Sequence, residues 1–333
     1  MGTFRILPCN ILVDLIQSTH KTQRLTSVSL FFVAKICFLF YNICMKQTYL
    51  ITTNHDGWTI KEFCKQHLNY STRHLNLLKF TYDFDGIAVN GKRQDVRYTL
   101  KTGDQLTFTF YEEPSDLAPW EYPLQFCYQD EFLYVVNKPH GMPCHPDRAH
   151  QLETLGNALK SHFDKLGEPF TLHVATRLDK QTSGLVLGAT NSLTKDYLVN
   201  MLKDGTVTKT YVALVDGRLL GSGQIDKPLT HNNDNGKTEL DTNGKQALSI
   251  YKVIANYFNT TLVELQPITG RTHQLRAHLC SIGHPIVGDT LYGGSQNDRM
   301  CLHMHKIAFT HPHTGENLCF TSPVEFDKTK FNY

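Results

Sequence analysis

The sequence predicts an α+β protein: a large domain on a mixed, largely antiparallel sheet, with a small α/β unit ahead of it. Three observations predict this. From Phe132 onward, many short apolar or alternating stretches are separated by few helical ones, which argues against regular βαβ alternation. Ahead of them, Ile87 to Lys92 contains Asn90-Gly91, a strong hairpin signal, and Leu106 to Phe110 alternates with period two. Between the two blocks, Pro114, Pro119 and Pro123 interrupt both helix and ladder, so residues 114–123 read as a linker.

Bulk properties agree. A chain of 333 residues is long enough for two domains, and 41% hydrophobic with 19% charged residues excludes a disordered chain. A net charge of +2 neither demands nor excludes nucleic acid, because clustering on one face is what matters. The nine cysteines (9, 37, 44, 64, 127, 144, 280, 301 and 319) are odd in number and contain no C-x-x-C pair. That argues against a disulfide framework and a thiolate zinc site, and points to a reducing, cytoplasmic setting. Cys64 and Cys280 sit in apolar patterns and read as small core residues.

Residues 1–44 differ from the rest. They carry Arg5, Lys21, Arg24 and Lys35 against Asp14 alone, then an apolar run from Ser27 to Cys44 that Lys35 interrupts. The pieces are too short to span a bilayer, for which about 20 apolar residues are needed. Asn42-Ile43-Cys44 is a poor signal-peptide cleavage site. We read 1–44 as an atypical leader ahead of a true start at Met45, with a membrane anchor as the alternative.

A small unit occupies 45–113. Tyr49 to Ile51 reads as a strand, Thr59 to Leu68 as a helix with Thr59 as N-cap, and Ser71 to Leu78 as a second helix. The hairpin strand Ile87 to Lys92 and the strand Leu106 to Phe110 complete it. In the large domain, 124–330, Phe132 to Asn137 is an apolar strand followed by the sharp loop Lys138 to Pro143. Helices are expected over Leu152 to Leu166, Leu193 to Leu202 and His273 to Cys280, the last stopped by Gly283 and Pro285. Strands are expected over Thr208 to Val215, Ala247 to Ile254, Thr260 to Leu265 and Leu302 to Phe309.

The chemistry-bearing stretch is His173 to Asn191. Thr176 to Gly184 is a polar corner before the buried strand Leu185-Val186-Leu187, and it sets Asp179 between Arg177 and Lys180. On spacing alone this reads as a solvated turn whose charges pair weakly, although polar loops on a rigid scaffold often carry function. His303-x-His305 and His311-x-His313 each share a strand face and could hold zinc, but no carboxylate or cysteine set completes a site, so no metal is expected.

Two resemblances sharpen this. Ser71-x-Arg73, Val89-Asn90-Gly91-Lys92 and Leu100-x-x-Gly103-Asp104 resemble the S-four RNA-binding fold, named for a small-subunit ribosomal protein. The resemblance implies phosphate-positioning contacts from Arg73, Lys92 and Arg93. Val136 to Gly141, His173 to Asn191, Lys209 to Gly217 and Pro267 to Gly293 together resemble the RluA family of RNA pseudouridine synthases, over about residues 125 to 325. That resemblance implies isomerisation of uridine to pseudouridine, in ribosomal RNA or else transfer RNA, by a monomer without cofactor, because no electrons or groups are exchanged.

Residue by residue, Asp179 matches the family's catalytic aspartate, Arg276 the arginine paired with it, and Tyr211 the tyrosine packed against the target base. Arg177 matches the arginine that helps hold the place of the flipped-out base, and Arg271 is a further substrate-binding candidate ranked below Arg276. Attack on ribose, attack on the ring and glycal formation stay open as mechanisms. The chain departs from the family at Thr176, where relatives usually carry His. The alternative function is an RNA-binding or ribosome-assembly factor that keeps the fold without the chemistry. A hydrolase acting on another glycoside is disfavoured because no second acid is placed in the sequence.

Overall fold

The computed structural model describes residues 3–4, 43–68, 70, 72, 75–76, 78, 86–112, 115–147, 151–168, 170–324 and 326. The chain divides into two compact units, Met1–Asp116 with Gly167–Thr171, and Leu117–Leu166 with Leu172–Tyr333.

The first unit is a five-stranded antiparallel sheet. Its strands are β1 (Thr3–Phe4), β2 (Ile43–Leu50), β3 (Ile87–Val89), β4 (Lys92–Arg93) and β5 (Gln105–Glu112), in the order β1-β2-β5-β3-β4. Asn90 (φ 52°) and Gly91 (φ 75°) make the tight turn of the β3–β4 hairpin, as expected of Asn-Gly. Thr59 caps a helix through a capping box: the Glu62 N–H donates to Thr59 Oγ1 at 3.2 Å, and the Thr59 N–H donates to the Glu62 carboxylate at 2.8 Å. That helix is regular only over α1 (Ile60–Glu62) and widens to a π turn over Phe63–His67. It buries Ile60, Phe63 and Cys64. The expected helix Ser71 to Leu78, Arg73 included, lies largely outside the described residues. So does most of the expected leader. Among the described residues no helix is long and apolar enough to cross a membrane.

The second unit is built on a ten-stranded sheet. In chain order its strands are β6 (Gln125–Gln129), β7 (Leu133–Lys138), β8 (His173–Val174), β9 (Ser183–Ala189), β10 (Thr208–Asp216) and β11 (Ser222–Asp226). A separate hairpin, β12 (Leu229–Asn232) and β13 (Lys237–Leu240), follows, then β14 (Leu248–Asn256), β15 (Thr260–Pro267), β16 (Leu302–Thr310) and β17 (Asn317–Thr321). The sheet order is β11-β14-β15-β10-β16-β9-β7-β6, with β17 on β16 and β8 on β9. Among the described residues all pairings are antiparallel but one: β9 and β16 run parallel, His303 opposite Ser183 and Met304 opposite Gly184. That short seam joins the two halves of the sheet.

Among the described residues, three helices complete the unit: α2 (Leu155–Leu166), α3 (Ser192–Lys203) and α4 (Gln274–Ser281). Helix α2 buries Leu155, Ala158, Leu159 and Phe163, one helical stripe. It starts three residues later than its apolar pattern suggests, because Glu153 takes a left-handed backbone (φ 61°) and the Asn157 N–H donates back to Thr154 Oγ1 at 3.3 Å. Strand β9 is buried along its whole length, which is why its sequence is apolar on both faces rather than alternating.

The seam has one strict requirement. Gly184 holds φ 113°, a backbone that only glycine adopts easily, and a Cβ there would collide with the Met304 backbone. Gly184→Ala is expected to destabilise the protein by at least about 2 kcal/mol, strain and overpacking acting together. Urea unfolding of wild type and variant measures this.

Candidate active site

The seam places the site. Asp179 lies on the loop that enters β9, Tyr211 on β10, and Arg276 in the first turn of α4. The loop carrying Asp179 is fixed at both ends. On the entering side, the Ala175 and Thr176 N–H groups donate to the Leu187 carbonyl at 2.9 and 3.0 Å, and the Leu187 N–H donates to Thr176 Oγ1 at 2.9 Å. The hydroxyl of buried Thr176 thus satisfies a strand N–H. On the leaving side, the Thr182 N–H donates to the Asp179 carbonyl at 3.0 Å.

A second support comes from Lys138, at the end of β7, which is 0% exposed. Its ammonium donates to the carbonyls of Pro139 (2.9 Å), Met142 (2.7 Å) and Lys180 (3.4 Å). The Gly141 N–H also donates to the Lys180 carbonyl, at 2.8 Å. Cys144 exchanges hydrogen bonds with Leu178, its thiol donating to the carbonyl at 3.3 Å and its sulfur accepting the N–H at 3.4 Å. The loop Lys138 to Cys144 therefore grips residues 178–180 from below. Burial pushes the Lys138 ammonium down to about 8, against the pull of Cys144 and Asp179.

Arg276 Nη1 donates to Asp179 Oδ2 at 3.4 Å, and His273 Nε2 lies 3.7 Å from the same oxygen. The side chain of Asp179 is 32% exposed and so remains reachable. The expected pairing of Arg276 with Asp179 is present, but it is the lesser of two. Nε and Nη2 of Arg276 donate to the two oxygens of Asp289 at 2.7 and 2.8 Å, a bidentate pair, and the Asp289 side chain is 1% exposed. Asp289 is a second acid close to the site, but it is buried and both of its oxygens are committed to the arginine. Burial works against the charge of Arg276, and the hydrogen bond and charge of Asp289, with Asp179 behind them, hold it above its ordinary value. The guanidinium also lies over the Tyr292 ring, 5.0 Å from its centroid.

His273 occupies the N-cap of α4 with left-handed backbone (φ 51°), where sequence suggests an ordinary first helical residue. Burial lowers its pKa, partly offset by Asp179, while Arg276 and His231 push further down. Gln274 ties this turn to the sheet, accepting from Thr269 Oγ1 (2.7 Å) and the Arg271 N–H (3.0 Å) and donating to the Leu248 carbonyl (2.9 Å).

Tyr211 is 9% exposed and sits where the β10–β16 register slips between Thr210 and Tyr211, an irregularity of the kind that re-aims side chains. Burial drives its phenol well up, with the charges of Asp179 and Cys144 adding. It is neutral at physiological pH. Arg177 is exposed and pairs with neither Asp179 nor any other acid among the described residues. The ion-pair partners of the carboxylate among the described residues, Arg276 and His273, are distant from it in sequence. Arg271 is exposed, its Nε donating to the Gln246 carbonyl at 3.0 Å. In the first unit Lys92 and Arg93 are exposed on β4, and Arg73 lies outside the described residues.

The paired histidines have other partners. His303 meets Ser183 Oγ at 2.8 Å and Ser322 Oγ at 3.2 Å, and His305 meets the Ser322 carbonyl at 2.6 Å. His311 Nε2 lies 2.9 Å from Asp130 and His313 Nε2 lies 2.9 Å from Thr194 Oγ1. Burial pushes His303 and His313 down to about 4. Sequence reasoning passed over Asp289, Tyr292 and Lys138 as site residues. The available signal was Gly288-Asp289 and Gly293-Gly294 bracketing a turn too small to serve as a loose surface loop.

Comparison with known proteins is consistent with this geometry. The profile of the RNA pseudouridylate synthase family matches residues 132–281. An uncharacterized RNA pseudouridine synthase of Bacillus subtilis (strain 168) is 35% identical over 278 residues, 82% of this chain and 97% of that protein. The ribosomal large subunit pseudouridine synthase D of Vibrio cholerae is 34% identical over 261 residues, 72% of this chain and 80% of that protein. Among solved structures, human RNA pseudouridylate synthase domain containing 1 has a TM-score of 0.53 at 27% identity, covering 66% of this chain and 89% of that one.

Lys138 supplies a pH test. Its folded pKa, about 8, lies below the ordinary 10.5, so between those values the unfolded chain binds more protons and stability rises with pH. Replacing Lys138 by Met removes this contribution. Urea midpoints measured from pH 7 to pH 10.5 are expected to climb for wild type relative to Lys138→Met above pH 8, and to run parallel below it.

Proposed function

We propose roles for the site residues from one premise: the chain belongs to the RluA family of RNA pseudouridine synthases and isomerises uridine to pseudouridine in RNA. The reaction breaks the bond from ribose C1′ to uracil N1, turns the base, and joins C1′ to C5; C5 gives up a proton and N1 takes one up, so the product is an isomer of the substrate. Nothing is oxidised or transferred to a second molecule, so side chains suffice.

Asp179 is the carboxylate that acts on the uridine. The observation that carries this reading is its setting: half-open to solvent, on a loop fixed from three sides, with one N–H of a rigid arginine on one oxygen. Tyr211 forms the wall against which the flipped base packs, and its neutral phenol stands close enough to feel the charge of Asp179. The base must leave its stack to arrive, at a cost of a few kcal/mol, and exposed Arg177 helps hold the vacated position. Arg271, held by the Gln246 carbonyl, faces substrate only through its terminal nitrogens and contributes less.

The substrate is ribosomal RNA, met by a monomer in the cytoplasm. A relative named as a ribosomal large subunit enzyme, matched over most of its length, supports this target over transfer RNA. The first unit is an S-four-like RNA-binding domain, with Arg73, Lys92 and Arg93 on phosphates and no part in base reading.

Two measurements test the proposal. A pseudouridine map of total RNA from a strain lacking the protein is expected to lose one or more sites in large-subunit ribosomal RNA; loss confined to transfer RNA would refute the target. Replacing Arg73, Lys92 and Arg93 together by Ala should weaken RNA binding irrespective of sequence. It should also flatten the plot of log affinity against log salt by roughly 2 to 3, at about 0.7–0.9 for each phosphate no longer neutralised. An unchanged salt slope would remove these residues from the RNA interface.

A further inference from the structure

Arg276 divides itself unequally between two carboxylates, and the larger share goes to the one that faces no substrate. Asp289 takes the whole Nε–Nη2 edge at 2.7 and 2.8 Å, while Asp179 has one nitrogen at 3.4 Å. Among the described residues no other side chain pairs with the carboxylate of Asp289, and that side chain is 1% exposed. Burying an acid beside another acid is unfavourable unless it is paired, so its presence calls for a reason.

The turn that carries Asp289 is rigid. The Gly288 N–H donates to the Ser295 carbonyl at 2.8 Å, and the Gly294 N–H donates to the Asp289 carbonyl at 2.9 Å. A Cβ on Gly288 would collide with the Arg299 carbonyl, and one on Gly294 with the Ile286 carbonyl, so the backbone here is packed without slack. The same turn supplies Tyr292, whose ring lies under the guanidinium at 5.0 Å. The Tyr292 hydroxyl is itself fixed, accepting the Thr238 N–H at 2.8 Å and donating to the Thr238 carbonyl at 3.1 Å. One turn therefore fixes the arginine by its edge and by its face, which leaves a single orientation for Nη1.

We infer that Asp289 is a positioning residue for the isomerisation, acting through Arg276: it holds the guanidinium so that Asp179 receives one directed N–H and no bidentate clamp. This rests on the reading of Asp179 as the reacting carboxylate. The charge count gives the reason. Asp289 and Arg276 already neutralise each other, so the pair presents Asp179 with an oriented donor while the negative charge of Asp179 stays available to the ribose or the ring. Without Asp289, the freed edge of Arg276 can swing to Asp179 and tie up both of its oxygens.

The test uses the full chain and a transcript of the target RNA, read by pseudouridine formation under multiple turnover. Wild-type conversion, and its loss in Asp179→Ala, establish the Asp179 reading separately. Given both, Asp289→Asn is expected to lower kcat about 100-fold while KM stays within about threefold, because the reacting group is misaligned and RNA contact is untouched. In an Arg276→Lys background, which has no edge to hold, the same substitution should cost less than about threefold. A kcat loss of equal size in both backgrounds, or an undiminished kcat in folded Asp289→Asn, overturns the inference. Should Asp289→Asn not fold, Asp289→Glu keeps the charge and shifts the guanidinium by one methylene. A kcat about 10-fold down at unchanged KM supports the positioning role, and a wild-type kcat overturns it.

Discussion

The site depends on one constraint, the fixed orientation of the Arg276 guanidinium. A buried arginine with a bidentate carboxylate on its edge and an aromatic ring under its face has no freedom left, and its remaining nitrogen becomes a fixed point in the active site. The carboxylate of Asp179 meets that point from a loop on another part of the chain. Everything else in the second unit can be understood as what brings these two groups together and keeps them there.

The sheet does the bringing. The β9–β16 seam is short, two residue pairs long, and it forces the backbones so close that position 184 admits no side chain. Entering β9 just after Asp179, the chain is held by strand-type bonds to Leu187, by the Lys138 ammonium on the Lys180 carbonyl, and by Cys144 on Leu178. The third grip uses a weak donor, but the first two involve buried polar groups whose loss would leave orphaned donors. Lys138 is costly to bury, and its three carbonyl partners show what the cost secures: the Lys138 to Met142 loop is tied to the Asp179 loop.

Most of the fold was legible in the sequence because apolar runs and turn residues agree with the final structure. Strands such as β7, β9 and β16 appear within a residue or two of their apolar stretches, and Asn90-Gly91 turns where that dipeptide should. Asp179, Arg276 and Tyr211 stand out in the sequence because they lie in long motifs of uncommon residues. Other features follow from three-dimensional encounters that leave no local trace. Arg177 and Lys180 flank Asp179 in sequence, yet the counter-ion comes from Arg276, 97 residues away. Nothing in the charge pattern said that Asp289 would take the better edge of that arginine. Lys138 reads as an exposed loop residue, since lysine is seldom buried, and only the converging carbonyls make its burial tolerable. Glu153 and His273 adopt left-handed backbones that their residue types do not announce.

In the proposed reaction the carboxylate of Asp179, and no other group, acts on the target uridine. Asp179→Asn tests it most directly, since the amide keeps the shape and can still face Arg276 while losing the charge. The expected protein has wild-type unfolding midpoint and wild-type RNA affinity, but pseudouridine formation lower by on the order of 10⁴-fold in single-turnover assays. A folded Asp179→Asn protein that converts uridine within about tenfold of the wild-type rate would contradict it.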